Sequence, residues 1–545
     1  MKDINIFALG GQDENGKNAH VFEFDNDIYV VNAGIKVPLG KTNGVDGIIA
    51  EFKYLQDRKD RIKGVFITHA HDEVFAALPW LLMEVPGVTI YASPYTVNLV
   101  KERVSKYKIG HNNYKIEEIK AEQTIGKVKV KTFEVANNMP GSLAYSFETP
   151  EGDIIIMSNT TVGDLGYFGK TDLEYIKSKS NKILTLLLDS RISNKKGSSF
   201  DKKSPIKAIK DVFEQTPDDQ RIIVGAYDEE AYATHEIIKM AKKFNRPVIS
   251  YGRAFDGIYA PIREKDDADM PVFEDYRKCN EIKNAVILVT GTWSRLYKRF
   301  ERIASNDDVF LKLKKKDAIF MITPPINGME VEYAETMDIV ARIAPNVIDV
   351  SEHDFYKLRP AEDDIKQIVK TLQPKYFIPI SSLYRYLVNA NNIASKNGVN
   401  IDNAILLTNG KVLHYQKGEI VSRKGTIENF GDVIIDGFGA GDVSYEVIKE
   451  RKTLAAGGLI TISVQMNRKS KRPVGEINIQ VVGVAVKQEL SKIQDDIKTM
   501  VLQKIRENNE GLRELQNTIR KRVRKVISKK YEKEPLVITT FYDVQ

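Results

Sequence analysis

The feature that most constrains this chain is a pair of histidines placed directly after a short apolar run. His69 and His71 follow residues 64–68, GVFIT, which have the character of a buried β-strand. Histidines two residues apart at the end of a strand can aim both imidazoles at one metal ion, and Glu73 could serve a second ion. Val74 comes next and has no donor atom. The sequence therefore predicts a metal-binding loop in which part of the ligand set is missing.

The composition is typical of a globular protein with several domains. At 545 residues the chain is too long for a single hydrophobic core, which predicts roughly three or four domains. No apolar run approaches the length of about 18 residues that a membrane helix needs, and the first residues do not form a signal segment. The single cysteine, Cys279, excludes an internal disulfide and agrees with a reducing compartment. We therefore expect a cytoplasmic protein with no membrane segment.

Hydrophobic patterning along the chain predicts an α/β fold. Short apolar runs alternate with helical patterns over the first 160 residues, which favours a layered αβ/βα domain, and a further buried strand ends at Asp189. A second α/β pattern follows, and the strand at 376–380 then resumes the style of the first domain. The glycine-rich stretch 431–442 lacks the Lys-Ser/Thr ending of a phosphate loop, so we interpret it as a linker. A compact α+β unit with a long helical region over 491–530 comes last.

Short stretches spread along the whole chain carry a family resemblance. They are residues 8–11 (ALGG), 14–18 (ENGKN), 32–36 (NAGIK), the His69 loop, 188–190 (LDS), 290–291 (TG), 379–380 (PI) and 435–437 (IDG). In order and spacing they resemble the ribonuclease J family, which are RNA-degrading enzymes of the metallo-β-lactamase superfamily. Members carry an inserted β-CASP domain and a C-terminal dimerising domain.

The resemblance implies a domain plan. It predicts a metallo-β-lactamase αβ/βα sandwich with an inserted β-CASP α/β domain and a small α+β C-terminal domain. The expected limits are 1–198 and 359–425 for the two parts of the metallo-β-lactamase domain, 199–358 for the β-CASP domain, 426–448 for a linker and 449–545 for the C-terminal domain.

The resemblance also implies a catalytic chemistry whose residues are mostly absent here. The active family hydrolyses phosphodiesters with two zinc ions that share and activate a hydroxide. Asn32 and Asn159 stand where the family has aspartates, while Val74, Asn137, Arg359 and Ser381 stand where it has histidines. The retained positions are His69, His71 and Asp189, with Glu73 in place of a ligand aspartate.

These exchanges predict a weak or vestigial metal site. Asparagine keeps the shape of aspartate but removes the negative charge that offsets two dications. The remaining donors are His69, His71 and either Glu73 or Asp72, whereas a zinc site normally has at least three protein ligands with partners that orient them. We expect no metal cofactor, or one weakly bound zinc ion.

Three functional hypotheses follow. The first is a non-catalytic or weakly active paralogue, most similar to the second, degenerate ribonuclease J of low-GC Gram-positive bacteria. Such a chain would assemble with an active ribonuclease J, or with itself, as a dimer or tetramer through the C-terminal domain. The second is an active metal-dependent 5'–3' exo-/endoribonuclease that uses His69, His71, Asp72, Glu73 and Asp189, with His353 as the nearest spare histidine. The third is a hydrolase of the same fold with another substrate.

RNA contact is left open by the sequence. The net charge of +7 permits nucleic-acid binding without arguing for it. Lysine and arginine gather over residues 520–530 in a segment that has the pattern of an amphipathic helix. A solvated helix face and a surface that follows RNA phosphates explain this pattern equally well.

Overall fold

The computed structural model describes most of the chain and divides it into two compact units. The described residues are 3–36, 45–200, 204–265, 271–292, 294–323, 325, 328–349, 358–436, 439–440, 445–467, 472–507 and 511–544. The first unit comprises Met1–Gly40 with Gly47–Val433, and the second comprises Lys41–Asp46 with Ile434–Gln545. His353, the spare histidine of the second hypothesis, lies outside the described residues.

The first unit contains two large mixed sheets. In spatial order the eight-stranded sheet consists of Glu419–Thr426, Lys411–Gln416, Ile4–Gly10, Ala19–Phe24, Asp27–Val31, Ile62–Phe66, Val88–Ala92 and Tyr114–Glu118. The six-stranded sheet consists of Tyr376–Ile380, Ile183–Asp189, Gly152–Met157, Leu143–Thr149, Val128–Glu134 and Glu122–Ile125. In the larger sheet Asp27–Val31, Ile62–Phe66 and Val88–Ala92 run parallel to one another. In the smaller sheet the parallel strands are Gly152–Met157, Ile183–Asp189 and Tyr376–Ile380.

Alternating side chains explain why these sheets are buried on both faces. Along Gly152–Met157, Ile154 and Ile156 pack between the two sheets, whereas Ile155 and Met157 pack against helices on the outer face. Helices on that face are Leu173–Lys179, Glu362–Leu372 and Tyr384–Lys396. Helix Pro94–Ser105 packs against the last two strands of the larger sheet. The predicted αβ/βα sandwich is therefore confirmed.

A third sheet in the first unit is entirely parallel. In spatial order its five strands are Val248–Ser250, Val286–Gly291, Ile222–Tyr227, Ala318–Met321 and Asn346–Asp349. All five fall inside the segment 199–358 that the sequence predicts as an inserted α/β domain, although the limits of that domain remain a prediction. The central strands are continuous apolar runs because helices cover both faces of a parallel sheet.

The other α-helices of the first unit connect these strands. They are Lys53–Gln56, Asp72–Phe75, Leu78–Glu84, Ser204–Gln215, Ala231–Lys243, Arg253–Lys265, Ser294–Ala304 and Glu330–Ala341. Further short strands of the chain are Gly47–Ala50, Asp432–Asp436 and Gly439–Ala440. No helix within the described ranges is both long enough and apolar enough to cross a membrane.

The second unit is a small α+β layer. Its three-stranded sheet has the order Asn478–Val482, Leu459–Asn467 and Leu536–Val544, and its helices are Tyr445–Gly457, Leu490–Arg506 and Leu512–Tyr531. The last two helices bury residues four apart, Ile493, Ile497, Val501 and Ile505 on one and Leu515, Ile519, Val523 and Ile527 on the other. The amphipathic pattern predicted for the basic segment is thus confirmed.

Two expectations for this region need revision. The long helical region over 491–530 is two helices, because the first ends at Arg506 and the second begins after Gly511, whose extended backbone cannot continue a helix. The expected linker 426–448 includes the strand Asp432–Asp436 and the start of helix Tyr445–Gly457, and several of its other residues lie outside the described part of the chain.

A buried ion pair stabilises the parallel sheet. The guanidinium of Arg221 is almost completely enclosed, and its Nε donates to Asp317 Oδ1 at 2.9 Å. Its two terminal nitrogens donate to the carbonyl oxygens of Cys279 at 2.7 Å and Lys312 at 2.8 Å. Such a fully hydrogen-bonded arginine ties three chain segments together, and its removal would leave the Asp317 carboxylate buried without a counter-charge.

We expect Arg221→Met to destabilise this sheet by about 3–5 kcal/mol, because one partner of a buried pair is lost and the other is left unpaired. Thermal unfolding measured by scanning calorimetry should show a clearly lower melting temperature. Lys106→Met, which breaks only the exposed pair with Glu102, should leave the transition where it is. Equal melting temperatures for Arg221→Met and the wild type would contradict the role given to this pair.

Candidate functional site

Most residues predicted from the sequence lie together, at the carboxyl ends of strands in the first unit. Asn32 follows Asp27–Val31, the histidines follow Ile62–Phe66, Asn159 follows Gly152–Met157, Asp189 ends Ile183–Asp189, and Ser381 follows Tyr376–Ile380. Parallel strands bring these ends to one edge of each sheet, and the two facing sheets close a pocket between them.

Three of these residues occupy left-handed backbone positions. The φ angles are 70° at Asn32, 48° at Asn159 and 61° at Ser381. Asparagine tolerates this region better than most residues, since its short amide can form local hydrogen bonds. Each of these turns follows the end of a strand and forms part of the backbone around the site.

The two histidines form a buried pair. His69 Nε2 lies 3.1 Å from His71 Nδ1, and His69 Nδ1 lies 2.9 Å from Thr68 Oγ1. Asn32 supports the loop from behind, because its Oδ1 accepts the backbone N–H of Thr68 at 3.0 Å. Burial lowers the pKa of His71 to about 3 and lowers the pKa of His69 well below its usual range, so both rings are neutral at pH 7.

The amide of Asn159 determines which ring nitrogens carry the protons. Its Oδ1 accepts from the Arg359 guanidinium, so its Nδ2 faces Glu73 Oε1 at 3.0 Å and His71 Nδ1 at 2.9 Å. His71 Nδ1 must then accept, which puts the His71 proton on Nε2 and makes His69 Nε2 the donor in the contact between the rings. His71 Nε2 is buried and has no hydrogen-bond partner among the described residues.

Two arginines enclose the carboxylate of Glu73. Arg359 Nη2 donates to Glu73 Oε1 at 2.6 Å, and Arg191 Nη1 forms an ion pair with Glu73 Oε2. The side chains of Arg359 and Arg191 are only 15% and 18% exposed, so water screens these pairs weakly. Burial alone would raise the pKa of Glu73, but Arg191 and Arg359 outweigh it and hold that pKa well below its usual range.

Asp189 completes a neutral cluster. Its Oδ2 accepts from Arg359 Nη1 at 2.9 Å, and its Oδ1 accepts the backbone N–H of Arg191 at 3.0 Å. Burial raises the pKa of Asp189, an effect that Arg359 and Arg191 oppose. With two carboxylates and two guanidiniums in contact, the formal charges of Glu73, Asp189, Arg191 and Arg359 cancel.

The side chains of the other predicted positions form no hydrogen bond with this network among the described residues. Asn137 Oδ1 accepts the backbone N–H of Met139 at 3.3 Å, and Val74 is an enclosed apolar residue of the helix Asp72–Phe75. The carboxylate of Asp72 pairs instead with Arg103, so it is not one of the grouped donors. The hydroxyl of Ser381 is buried and has no hydrogen-bond partner among the described residues.

The donor set does not fit a pair of metal ions. Three potential ligand atoms, from His69, His71 and Glu73, lie within 4.8 Å of one another, and they are the sole such group of three or more in the described part of the chain. However, both oxygens of Glu73 already accept from guanidiniums, and both imidazoles are engaged in the hydrogen-bond chain. A second cluster of ligands for another ion is absent from the described residues.

The sequence interpretation missed the role of two arginines. Arg359 was identified only as the loss of a histidine, and Arg191 was not singled out. The sequence does indicate that arginines are needed there, since the acids Glu73 and Asp189 must have counter-charges if no metal is bound. Basic residues next to retained or altered motif positions, such as Arg191 two residues after Asp189, are the natural candidates.

Comparison with known proteins identifies relatives along the whole chain. An uncharacterized protein of Mycoplasma genitalium is 27% identical over 566 residues, covering 100% of both chains. Ribonuclease J2 of Bacillus subtilis is 25% identical, covering 100% of this chain and 99% of that protein. Ribonuclease J 2 of Staphylococcus aureus is 23% identical with the same coverage.

Solved structures give lower similarity. A protein of unknown function from Enterococcus faecalis covers 76% of this chain and 100% of its own, with 12% identity and a TM-score of 0.49. A metallo-β-lactamase fold protein from Bacillus subtilis covers 35% of this chain and 73% of its own, with 9% identity and a TM-score of 0.26.

The C-terminal part matches a defined family. Residues 446–544 match the family described as Ribonuclease J C-terminal domain. Residues 446–544 therefore carry a domain of this family, and the whole chain is similar from end to end to relatives named ribonuclease J2.

Proposed function

We propose that this chain is a non-catalytic, cytoplasmic subunit of RNA processing and decay that assembles with an active ribonuclease J. One observation carries the proposal: the guanidinium of Arg359 binds Glu73, Asp189 and Asn159 at the centre of the pocket. A side chain that fills this position leaves no room for a metal pair among the donors that remain. The cofactor expectation that goes with it is no metal, or one weakly bound zinc ion.

The chemistry of arginine supports the absence of hydrolysis. Metal-assisted hydrolysis needs a Lewis acid that lowers the pKa of bound water and so generates hydroxide at neutral pH. Guanidinium offers positive charge and five donors, but it has no acceptor, stays protonated and does not bind water as a ligand. The neutral histidines are themselves occupied in hydrogen bonds, and no unpaired general base remains in the network of Glu73 and Asp189.

We expect purified wild-type protein to show no cleavage of 5'-monophosphorylated RNA that depends on its own pocket. Any trace activity should be the same in His71→Ala, because His71 has no catalytic role in the arginine-filled site. The measurement is product formation on a labelled RNA with Zn²⁺, Mn²⁺ or Mg²⁺ added in turn. Robust wild-type cleavage that His71→Ala abolishes would refute the proposal.

RNA cleavage that His71→Ala abolishes would favour the alternative function, which is an active ribonuclease. The grouping of His69, His71 and Glu73 within 4.8 Å is the observation that supports an active 5'–3' exo-/endoribonuclease with a reduced metal site. For that function Glu73 would have to exchange its arginine partners for a metal ion.

An exposed apolar face on the C-terminal sheet supports assembly. Val482, Ile538 and Tyr542 are 61%, 44% and 53% exposed. Strand register places them beside Leu459, Thr461 and Gln465, which alternate with the core residues of their strand, so all three point away from the buried helix layer. Large apolar side chains on one face are typical of a surface that another subunit covers.

We expect Val482→Glu combined with Ile538→Glu to abolish co-purification with an active ribonuclease J while leaving the melting temperature nearly unchanged. Charged groups on this face cannot be desolvated cheaply in an interface, but they are tolerated in water. Val421→Glu, at an equally exposed apolar position of the first unit, is the matched control. Undiminished co-purification of the double variant would exclude this face as the interface.

The basic helix supports a role in RNA contact. On the helix Leu512–Tyr531, Lys521, Arg524 and Lys525 are exposed and Arg520 is half-buried, and within the described chain none of the four forms an ion pair. Arg520, Arg524, Lys525 and Lys449 line a groove of about 600 Å³, in which these four cations outnumber the two carboxylates, Glu450 and Glu534. Free cations along a groove are suited to the phosphates of an RNA strand.

We expect Arg520→Glu with Arg524→Glu to weaken RNA binding and to flatten its dependence on salt concentration, since fewer counterions are released. Affinity should be measured by fluorescence anisotropy at two or more salt concentrations. Lys487→Glu combined with Lys492→Glu, at two exposed basic positions of the same unit, makes the same change in net charge and is the control. Identical salt slopes for all three proteins would remove this helix from the RNA-binding surface.

A further inference from the structure

We infer that Arg359 is a tethered cation that takes the place of a metal ion, and that this one side chain is what keeps the pocket free of metal. The inference rests on the proposed function and adds a cause to it. The residues around the guanidinium would otherwise form a cation site, so the loss of metal depends on an added group as well as on lost ligands.

Geometry supports the assignment first. The guanidinium donates to three oxygen atoms, Glu73 Oε1, Asn159 Oδ1 and Asp189 Oδ2. Glu73 lies in the helix Asp72–Phe75, whereas Asn159 follows the strand Gly152–Met157 and Asp189 ends the strand Ile183–Asp189. Converging oxygen acceptors with two negative charges among them select a cation. The imidazole pair lies beside them, because Asn159 bonds both Arg359 and His71, and a Glu73 oxygen lies within 4.8 Å of a nitrogen of each ring.

Charge balance supports it second. Glu73 and Asp189 are both buried, and among the described residues their ion-pair partners are Arg359 and Arg191 only. If Arg359 is removed, one negative charge in the cluster lacks a counter-charge in a poorly hydrated pocket. That unpaired charge, together with the freed oxygens and the neighbouring imidazoles, constitutes a site for a divalent ion.

Tethering explains why the arginine prevails over free metal. The guanidinium is held by the chain at a high effective concentration, whereas a metal ion must come from solution. Entry of a dication beside Arg359 would also bring like charges within a few ångströms of each other. The metal must therefore displace three hydrogen bonds and approach a fixed positive charge.

The test compares metal binding by wild type, Arg359→Ala and Arg359→Gln. Titration calorimetry with ZnCl₂ and the visible absorption of added CoCl₂ report binding independently of any enzymatic activity. We expect no saturable pocket binding in the wild type and one ion per chain in both variants, with affinity raised by at least about 100-fold as the fixed charge is removed. Arg385→Ala, which removes an exposed arginine outside the pocket, should behave like the wild type.

Stability gives a second measure that remains informative if the variants fold less well. Both variants should melt at a lower temperature than the wild type in chelator, because a buried carboxylate loses its partner, and Zn²⁺ should restore much of the difference. Adding His71→Ala to Arg359→Ala should abolish the zinc effect, since that imidazole belongs to the expected ligand set.

Two results would overturn the inference: zinc binding by the wild type as tight as that of Arg359→Ala, or no gain in zinc binding by either variant. Neither result concerns assembly, which the co-purification experiment decides separately. Zinc binding by Arg359→Ala without RNA cleavage would support both proposals. Cleavage of RNA by the wild type through its own pocket would refute the proposed function through a different measurement.

Discussion

The pocket between the two sheets depends on how two buried carboxylates are neutralised. Glu73 and Asp189 are almost fully enclosed, and an isolated carboxylate in such surroundings is strongly destabilising unless it is paired or protonated. A bound metal ion could supply the counter-charge. In this chain it comes from Arg191 and Arg359, whose guanidiniums bind the carboxylates directly and bring the formal charge of the cluster to zero. The site can therefore keep its two central acids without a metal ion.

The packing of the two sheets does not depend on whether metal ions or arginines neutralise the carboxylates. The strand ends that carry the site belong to sheets whose cores are apolar and continuous, with Ile154 and Ile156 packed inward and Ile155 and Met157 packed outward. Positive φ angles at Asn32, Asn159 and Ser381 keep the turns in place. Because packing and backbone geometry determine the shape of the pocket, its chemistry can change through side chains alone. Function therefore has to be argued from the side chains of the site, and the fold alone does not decide it.

The features of the fold that depend on local sequence, such as the strands and their order in layers, could be predicted. The layered sheets follow from period-two alternation and apolar runs, and the position of Asn159 follows from its place after a buried strand. The role of Arg359 could not be predicted in this way, because its contact with Glu73 joins residues 286 positions apart through a long and flexible side chain. The break between the helices Leu490–Arg506 and Leu512–Tyr531 could not be predicted because both helices have the same amphipathic spacing, so the pattern gives no sign of where one ends. The need for a positive charge beside Glu73 and Asp189 would have drawn attention to nearby arginines such as Arg359.

Asn159 shows that the substitutions in the pocket are physically linked. Its Nδ2 donates to Glu73 Oε1 at 3.0 Å, while its Oδ1 accepts from Arg359. An aspartate at the same place would put a second carboxylate oxygen against Glu73 at hydrogen-bond distance, and three carboxylates would then face the two guanidiniums of Arg191 and Arg359. Asparagine supplies both a donor for Glu73 and an acceptor for Arg359, and it also fixes the tautomers of the histidine pair. An amide at 159 and an arginine at 359 therefore each make the other favourable, so reverting either one alone would leave an unpaired charge or an unmatched hydrogen bond in the pocket.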